Sequence, residues 1–474
     1  MKFPFFSLNV GKINFSRLSF PKSSIKNAGR FIKSLLKKET LLAVKFLPKA
    51  LSIYEKSTIT IMLGIIAVSC SFLWYSHWIK TTHEVSNIGG IYVEGIAGEA
   101  KDLDKHIDRL INTGLTRIDE NGEIKPDLAE KWDISDEGKT YQFTLREGFN
   151  SQDLANQLNS KNIWPNTEIT TPSDNVIVFK FKQPFNPFLY ITTEAVFPYG
   201  PYKIIKEEKN KITLQANNDF WQGTPKISKI VFNFYQTQNA LDKAVKRGEV
   251  MGFFTKEAQA SSDFNSYIMN LPRETMAFFN LTRTDLQNVD LRRKLKDGQS
   301  ADKDYNWVLV TSDNDHNAKL AEDLKNKWAG LKIHLEIRKY SNATLQKDII
   351  PKRDYDILLY GLDYGPDPDP YPFWHSSQNK SGGMNLSNFS NKKADKILEE
   401  ARQTLDAKVR EDKINEFRQI LDQEIPFISL EKEKFDYVIN KQVKGVNKIY
   451  GVSESDRFLN VDKWYIKTKR VKNS

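Results

Sequence analysis

The chain has 474 residues, 70 Lys and Arg against 60 Asp and Glu, and a formal net charge of +10, with length enough for two or three domains with real cores. Residues 1–80 hold 13 of the basic and 2 of the acidic side chains, so the remainder, at 57 to 58, is close to neutral. That remainder offers no phosphate-binding field, which excludes a nucleic-acid binder, and the single cysteine, Cys70, excludes an intrachain disulfide or a cysteine-rich metal site.

Residues 57–79 carry no formal charge and are mostly apolar, and roughly 20 such residues span a bilayer as a helix. Trp74, Tyr75 and Trp78 cluster at the C-terminal end, where an interfacial aromatic belt belongs. Residues 1–56 form a basic arm with 12 Lys and Arg and only Glu39 and Glu55. The positive-inside rule then predicts a single-pass protein of the cell membrane, with its N-terminus cytoplasmic and residues 81 onward outside. The sequence AVSC, ending at Cys70, loosely matches a lipoprotein-type cleavage site, but the apolar run continues past it and the charged region before it is long for a signal. The reading adopted is an uncleaved anchor. Residues 28–51 are basic and partly amphipathic, suited either to the inner membrane surface or to a free arm. Residues 80–87 read as a linker spanning at most about 28 Å.

Beyond the linker, Gly89-Gly90 precede a strand, and residues 104–112 read as a short helix. Residues 126–132 read as another helix with Pro126 in its first turn. Strands follow at 141–145, 176–181, 212–216 and 226–235, then a helix at 240–246. This half is mixed α/β with a mostly antiparallel character. The second half changes rhythm. A strand at 307–310, a helix closed by Gly330, a strand at 331–337, a helix capped by Ser341 and Asn342, and a strand at 357–360 give β-α-β-α-β. That order closes only as a parallel sheet, and ligands of such sheets bind beyond the carboxyl ends of the strands. Asp363 lies three residues past one such end. Ala394, Ile397, Leu398 and Ala401 mark one later helix face and Ile414, Phe417 and Leu421 another, both assigned to the core. Residues 426–430 and 437–439 read as two returning strands.

The stretch from residue 360 to 378, YGLDYGPDPDPYPFWHSSQ, stands apart. Proline fixes φ and removes a donor, so this loop is expected to be stiff. Carboxylates presented beside aromatic faces suit a ligand that is part cationic and part apolar. The same residues also suit a rigid surface connection with solvated carboxylates.

Gly361, Asp363, Tyr364, Asp367, Pro368 and Asp369, with one extra residue between the tyrosine and the D-P-D, resemble a segment of the extracellular solute-binding proteins of family 5, the oligopeptide- and dipeptide-binding receptors of ABC importers. Residues 114–148 resemble that family's N-terminal signature, and 387–430 a third segment. QPFNPF, ending at Phe188, and Gly200-Pro201-Tyr202 resemble two of its turns. The resemblance implies a two-lobed periplasmic-binding-protein-like α/β fold of type II. Residues 88–280 would form lobe I, 281–430 lobe II, and 431–474 the return to lobe I. It implies peptide as ligand, permease subunits as partners, closure of two lobes by hinge motion, and no catalysis or cofactor. An aspartate at the position of Asp363 pairs with the peptide α-ammonium in peptide-binding relatives. Tyr364, Trp374 and Tyr360 are the candidate apolar walls. Asp367 and Asp369 are candidates either for ligand contact or for bracing the proline loop. Two departures stand out: the accessory lobe after Gly148 is cut down, and the helical block after Asn280 is missing. These departures, with the anchor, leave open a surface scaffold or sensor that lost transport, or a receptor for nickel, haem or a sugar. No catalytic or nucleotide-binding motif is present, and no two of the six histidines sit at ligand spacing.

Overall fold

The computed structural model describes residues 52–98, 103–164, 167–255, 262–367, 369–449 and 451–473. Most of the expected basic arm, including the stretch 28–51, and Pro368 of the loop lie outside the described residues. The chain divides into two compact units, residues 1–84 with 470–474, and residues 85–469.

In the first unit, helix α1 (Ile53–Thr81) runs 29 residues. Its start is a capping box: Ser52 Oγ accepts from the Glu55 amide, and Glu55 accepts from the Ser52 amide at 2.9 Å. An 18-residue window reaches a mean hydropathy of 1.9 and none of it is buried. At about 1.5 Å per residue the helix exceeds the roughly 30 Å of a hydrocarbon core. Its last carbonyls would be orphaned, and the chain's own C-terminal residues satisfy them. Arg470 donates to Ile79 O at 3.2 Å and to Thr82 O at 3.0 Å, with its guanidinium 4.9 Å from the Trp78 ring centroid. Asn473 donates to Thr81 O at 2.8 Å and Lys80 O at 2.9 Å. Residues 80–87 are therefore not a free connection: the helix runs to Thr81 and strand β1 (Thr82–Asn87) follows directly.

The second unit opens with β2 (Ile91–Ala97) and α2 (Asp104–Ile111). A hairpin of β3 (Thr116–Ile118) and β4 (Ile124–Pro126) comes next. Then β5 (Ala129–Ser135), β6 (Thr140–Leu145), helix α3 (Ser151–Lys161), β7 (Glu168–Ser173) and β8 (Val176–Lys180) form a small antiparallel sheet in the order β5-β6-β8-β7. Tyr141, Phe143, Phe179 and Phe188 fill its core. The helix expected at 126–132 is absent. Pro126 ends a strand, and the Leu128 and Ala129 amides donate to Gly114 O and Leu115 O, not to carbonyls four residues back. Tertiary pairing overrides the helix-start signal here. It also fixes the nature of residue 114: a Cβ on Gly114 would come within 2.6 Å of the Thr116 and Thr192 carbonyl oxygens.

The chain continues through β9 (Tyr202–Glu208), β10 (Lys211–Ala216), β11 (Lys229–Tyr235), α4 (Gln238–Lys246), β12 (Gly252–Thr255), the long β13 (Phe264–Phe279) and α5 (Val289–Lys296). The parallel unit follows as β14 (Tyr305–Ser312), α6 (Asp315–Ala329), β15 (Ile333–Tyr340) and β16 (Ile357–Asp363), and β14 pairs in parallel with both β15 and β16. Helices α7 (Lys392–Gln403) and α8 (Ala407–Glu424), strand β17 (Phe427–Asn440) and strand β18 (Lys467–Lys472), which pairs with β1, complete the chain. The expected parallel sheet is present, but β16 runs three residues further than expected, so Asp363 ends the strand. The two strands expected at 426–430 and 437–439 are one, β17, because it pairs along the still longer β13.

One sheet of ten strands, ordered β15-β14-β16-β13-β17-β12-β2-β11-β10-β9, spans the unit. β13 and β17 pass from one hydrophobic core to the next. Met269, Leu271, Tyr437 and Ile439 pack in one core with Tyr92 and Trp464. Met276 and Phe278, and on the other face Ala277 and Phe279, pack in two others. Between them lie Pro272 and slips in the β13–β17 register at Asn270/Glu274 and Thr275/Met276, where the ladder is weakest.

Near this crossing, Glu94 of β2 is fully buried and takes three donors: Arg457 Nε at 2.9 Å, the Tyr92 hydroxyl at 2.6 Å and the Tyr437 hydroxyl at 2.9 Å. Burial and the Glu94 charge hold both phenols far above their usual pKa, so they remain donors. Gly252 leaves the space, since a Cβ there would lie 1.6 Å from the Tyr92 hydroxyl. Glu94→Ala strands the Arg457 charge in the core and is expected to lower unfolding free energy by about 3–5 kcal/mol. Urea unfolding of the two proteins checks it, and a loss under about 1 kcal/mol, typical of exposed pairs, contradicts it.

Candidate functional site

Asp363 stands at the carboxyl end of β16 with its side chain about half exposed (47%). Strand register sets Arg273 of β13 opposite it, and Arg273 Nε donates to Asp363 Oδ2 at 2.7 Å. The other carboxylate oxygen accepts from the Gly365 amide at 2.9 Å. Arg273 also binds Glu454, Nη1 to Oε1 at 3.0 Å and Nη2 to Oε2 at 3.3 Å, and Glu433 at 3.3 Å. One guanidinium thus serves three carboxylates. Its planar fork suits that arrangement; burial lowers its pKa, but the bonds and charges of Glu454 and Asp363 outweigh this and hold it firmly protonated. His316 Nε2 lies 2.7 Å from Glu431 in the same cleft. Glu274, next to Arg273 on β13, lines it too, and its volume is about 300 Å³.

Glu454, bound to Arg273, lines a second cleft of about 640 Å³. Lys105, His106, Asp242, Phe254 and Phe435 line this second cleft, with the two phenylalanine rings 5.4 Å apart. His106 is 7% exposed, and its Nδ1 has no hydrogen-bond partner among the described residues. Burial, and then the nearby Arg457 and Lys105 charges, push its pKa down to about 2, so the ring is neutral at physiological pH.

The remaining loop residues divide by burial. Asp367 is 5% exposed, and both its oxygens accept from Arg410 Nη2 at 2.8 Å. Burial pushes the Asp367 carboxyl up and Arg410 pulls it back. Asp369 accepts from Arg402 Nε at 2.7 Å and from the Tyr371 amide at 3.1 Å. Arg402 stacks 4.0 Å from the Tyr371 ring centroid, and its carbonyl accepts from the Asn186 amide at 2.9 Å. These pairs tie the proline loop to α7 and α8 and, through Asn186, to the segment after β8. Trp374 is 2% exposed and packs on Phe278, Phe389 and Phe427. Tyr364 meets Phe373 edge to face at 5.2 Å and opens, with Trp374 and Phe417, onto a third groove along α8. Tyr360 is half-buried and accepts from the Gln346 amide at 3.3 Å.

Of the six residues singled out from sequence, the structure brings Asp363 alone into the cleft around Arg273. Asp367 and Asp369 are absorbed in ion pairs, and Trp374 in the core. Sequence reading missed Arg273, Glu433 and Glu454. The alternating charges of E-K-E-K from residue 431 were visible, but only the β13–β17 pairing turns them toward one arginine.

Residues 123–296 match the family described as bacterial extracellular solute-binding proteins, family 5 Middle. A probable D,D-dipeptide-binding periplasmic protein, DdpA of Escherichia coli, is 23% identical over 425 residues, covering 68% of this chain and 82% of that protein. A dipeptide-binding protein, DppE of Bacillus subtilis, is 19% identical over 459 residues, covering 71% and 84%. The fold matches the crystal structure of a putative peptide binding protein AppA from Clostridium difficile with a TM-score of 0.70 at 16% identity, covering 80% of this chain and 100% of that one. It matches AppA of Bacillus subtilis, solved with a nonapeptide, at 0.63 and 17%, covering 80% and 99%.

The buried neutral His106 makes stability pH-dependent. The unfolded chain takes up this proton near pH 6.5 and the folded chain does not, so stability falls as pH drops below about 6.5, by up to about 1.4 kcal/mol per pH unit. His106→Gln removes that contribution. Urea unfolding at pH 7.5, 6.5 and 5.5 is expected to show a smaller loss toward acid for the variant than for the parent, and identical losses contradict the assignment.

Proposed function

We propose, from the premise that the chain belongs to the bacterial extracellular solute-binding proteins of family 5, that it is the membrane-held substrate-binding protein of an ABC importer and captures peptides in the cleft around Arg273. The carrying observation is where that cleft lies. It sits at the carboxyl ends of β14 and β16, beside the stretch where β13 and β17 pass between cores. Relatives named for dipeptide and oligopeptide binding supply the ligand class.

We place the hinge at residues 272–275 and 431–434, where the cores change and the strand register slips. Rotation there opens and closes the cleft around a ligand. Asp363, half exposed and held in place by Arg273 and the Gly365 amide, is the acceptor for the peptide α-ammonium. A charge-assisted bond formed there on closure contributes roughly 1.5–3 kcal/mol. Asp367 and Asp369 hold the loop in place, Trp374 and Tyr360 form its packed base, and Tyr364 supplies an apolar face. An extended peptide adds main-chain bonds that are indifferent to sequence.

The apolar helix α1 is the anchor in this reading, with the basic N-terminus cytoplasmic and the binding unit outside. Trypsin added to intact cells is then expected to degrade residues beyond 84 while an N-terminal tag survives. Survival of the binding unit, or its release into the medium as a shorter chain, contradicts this topology.

The ligand assignment is checked by thermal melting of the full chain in detergent with a pooled di- to octapeptide library, beside Asp363→Ala. Peptide at about a hundred times its dissociation constant stabilises the folded state by about 2.7 kcal/mol. The parent is expected to shift upward and Asp363→Ala to need at least roughly tenfold more peptide for the same shift. No shift in either protein contradicts peptide capture. Equal shifts contradict the ammonium anchor alone.

A further inference from the structure

Strand β17 is covered on both sides for only part of its length. β13 pairs along it from Phe427 to Asn440, whereas β12 covers its other side from Asp436 to Ile439 alone. Burial follows the covering: Tyr437, Val438 and Ile439 are buried, while residues 427–432 are half-buried or exposed. The Phe279 amide donates to Pro426 O, so by the alternation of an antiparallel ladder the main-chain groups of Phe427 and Ser429 point away from β13. No second strand meets them among the described residues. Exposed edges are usually blunted by charge, but here the first charges, Glu431 and Lys432, come only after the run Phe427-Ile428-Ser429-Leu430.

The groove along α8, of about 690 Å³, runs beside this open edge, and Phe427, Ile428, Ser429 and Lys432 line it. On one face of the sheet α8 adds Phe417 and Leu421. On the other face α5 and α6 add Lys296 and Lys327 at their C-terminal ends. The edge is thus framed by helices on both faces, one wall apolar and the other cationic. The two acids in the lining are already matched: Glu274 stands across the ladder from Lys432, and Asp422 meets Lys296 at 3.5 Å. Lys327 and Arg418 have no ion-pair partner among the described residues, and Arg418 donates to Asn415 at 2.8 Å.

We infer that this edge docks an extended segment of a partner protein whose side chains alternate between apolar and acidic. The segment adds a strand outside β17, bonding to the free main-chain groups of Phe427 and Ser429. Successive side chains of a strand point to opposite faces, so its apolar set lies on the α8 side and its acids reach Lys327 and the rim at Arg418. This surface is separate from peptide capture at Asp363 and needs no free α-ammonium.

The test measures binding of a fluorescent octapeptide of alternating valine and glutamate to the full chain in nonionic detergent. Caps at both ends of the peptide remove the α-ammonium, so the Asp363 anchor does not contribute. Two control peptides carry lysine in place of glutamate, or N-methyl groups on alternate amides, which block strand pairing. The acidic peptide is expected to bind at least roughly tenfold more tightly than either control. Ser429→Pro removes an edge donor that β13 does not use and is expected to weaken the acidic peptide roughly tenfold. Lys327→Glu with Arg418→Glu, both at exposed positions, should make the lysine peptide the tighter binder. Melting of the ligand-free variants confirms that they are folded, and the peptide comparison on the parent depends on neither variant. No binding of the acidic peptide overturns the proposal. Binding that N-methylation leaves unchanged overturns it too, because the groove would then take any anionic amphiphile. Binding untouched by all three substitutions overturns the assignment to this edge.

Discussion

The shared hold of Arg273 on Asp363, Glu433 and Glu454 is the contact on which the site depends. It joins β16, β17 and the segment beginning at Glu454 at the place where the main sheet is least regular. Pro272 gives no ladder donor there, and the cores on either side do not continue across it. Side-chain pairing therefore supplies order that the backbone lacks. Because the arginine is partly exposed, it is also a contact that a hinge motion can strain or remake without first burying a bare charge.

The buried Glu94 network is different in kind. Glu94 and Arg457 have no exposed side-chain surface, and the glutamate is completed by two phenols. Charge pairs of this type are costly to break and fix one arrangement of β2, β17 and the segment around Arg457. The many exposed pairs, such as Lys206–Glu208 or Arg338–Glu336, contribute little by comparison. Rigidity behind the cleft and a looser charge cluster at its mouth suit a surface that closes on a ligand.

Burial also sorts the three aspartates of one short loop. Asp367 and Asp369 are deep enough to need a partner, and each has an arginine from α7 or α8. Asp363 is left half exposed at a strand end, where its charge is affordable and reachable. A loop pinned at two points presents the third carboxylate at lower entropic cost than an untethered one. The joining of Arg402 to Asn186 carries the same bracing to the small antiparallel sheet.

Much of this was legible in the residue order because it depends on local periodicity. The long apolar helix and the parallel unit of β14, β15 and β16 are set by neighbours within a few residues. What failed depended on partners far away. Pro126 signals a helix start, yet the strand at residue 129 finds its partners in β6 and near Leu115. Residues 80–87 look like a linker until the C-terminal residues cap the helix before them. The roles of the carboxylates were hidden for the same reason: Arg273 is 90 residues from Asp363, 160 from Glu433 and 181 from Glu454. An aspartate reads the same in sequence whether its charge is paired, buried or open to a ligand. Residue order determined which groups the chain could offer, and only the folded pairing of β13 with β16 and β17 decided which of those charges were spent on each other and which were left facing the cleft.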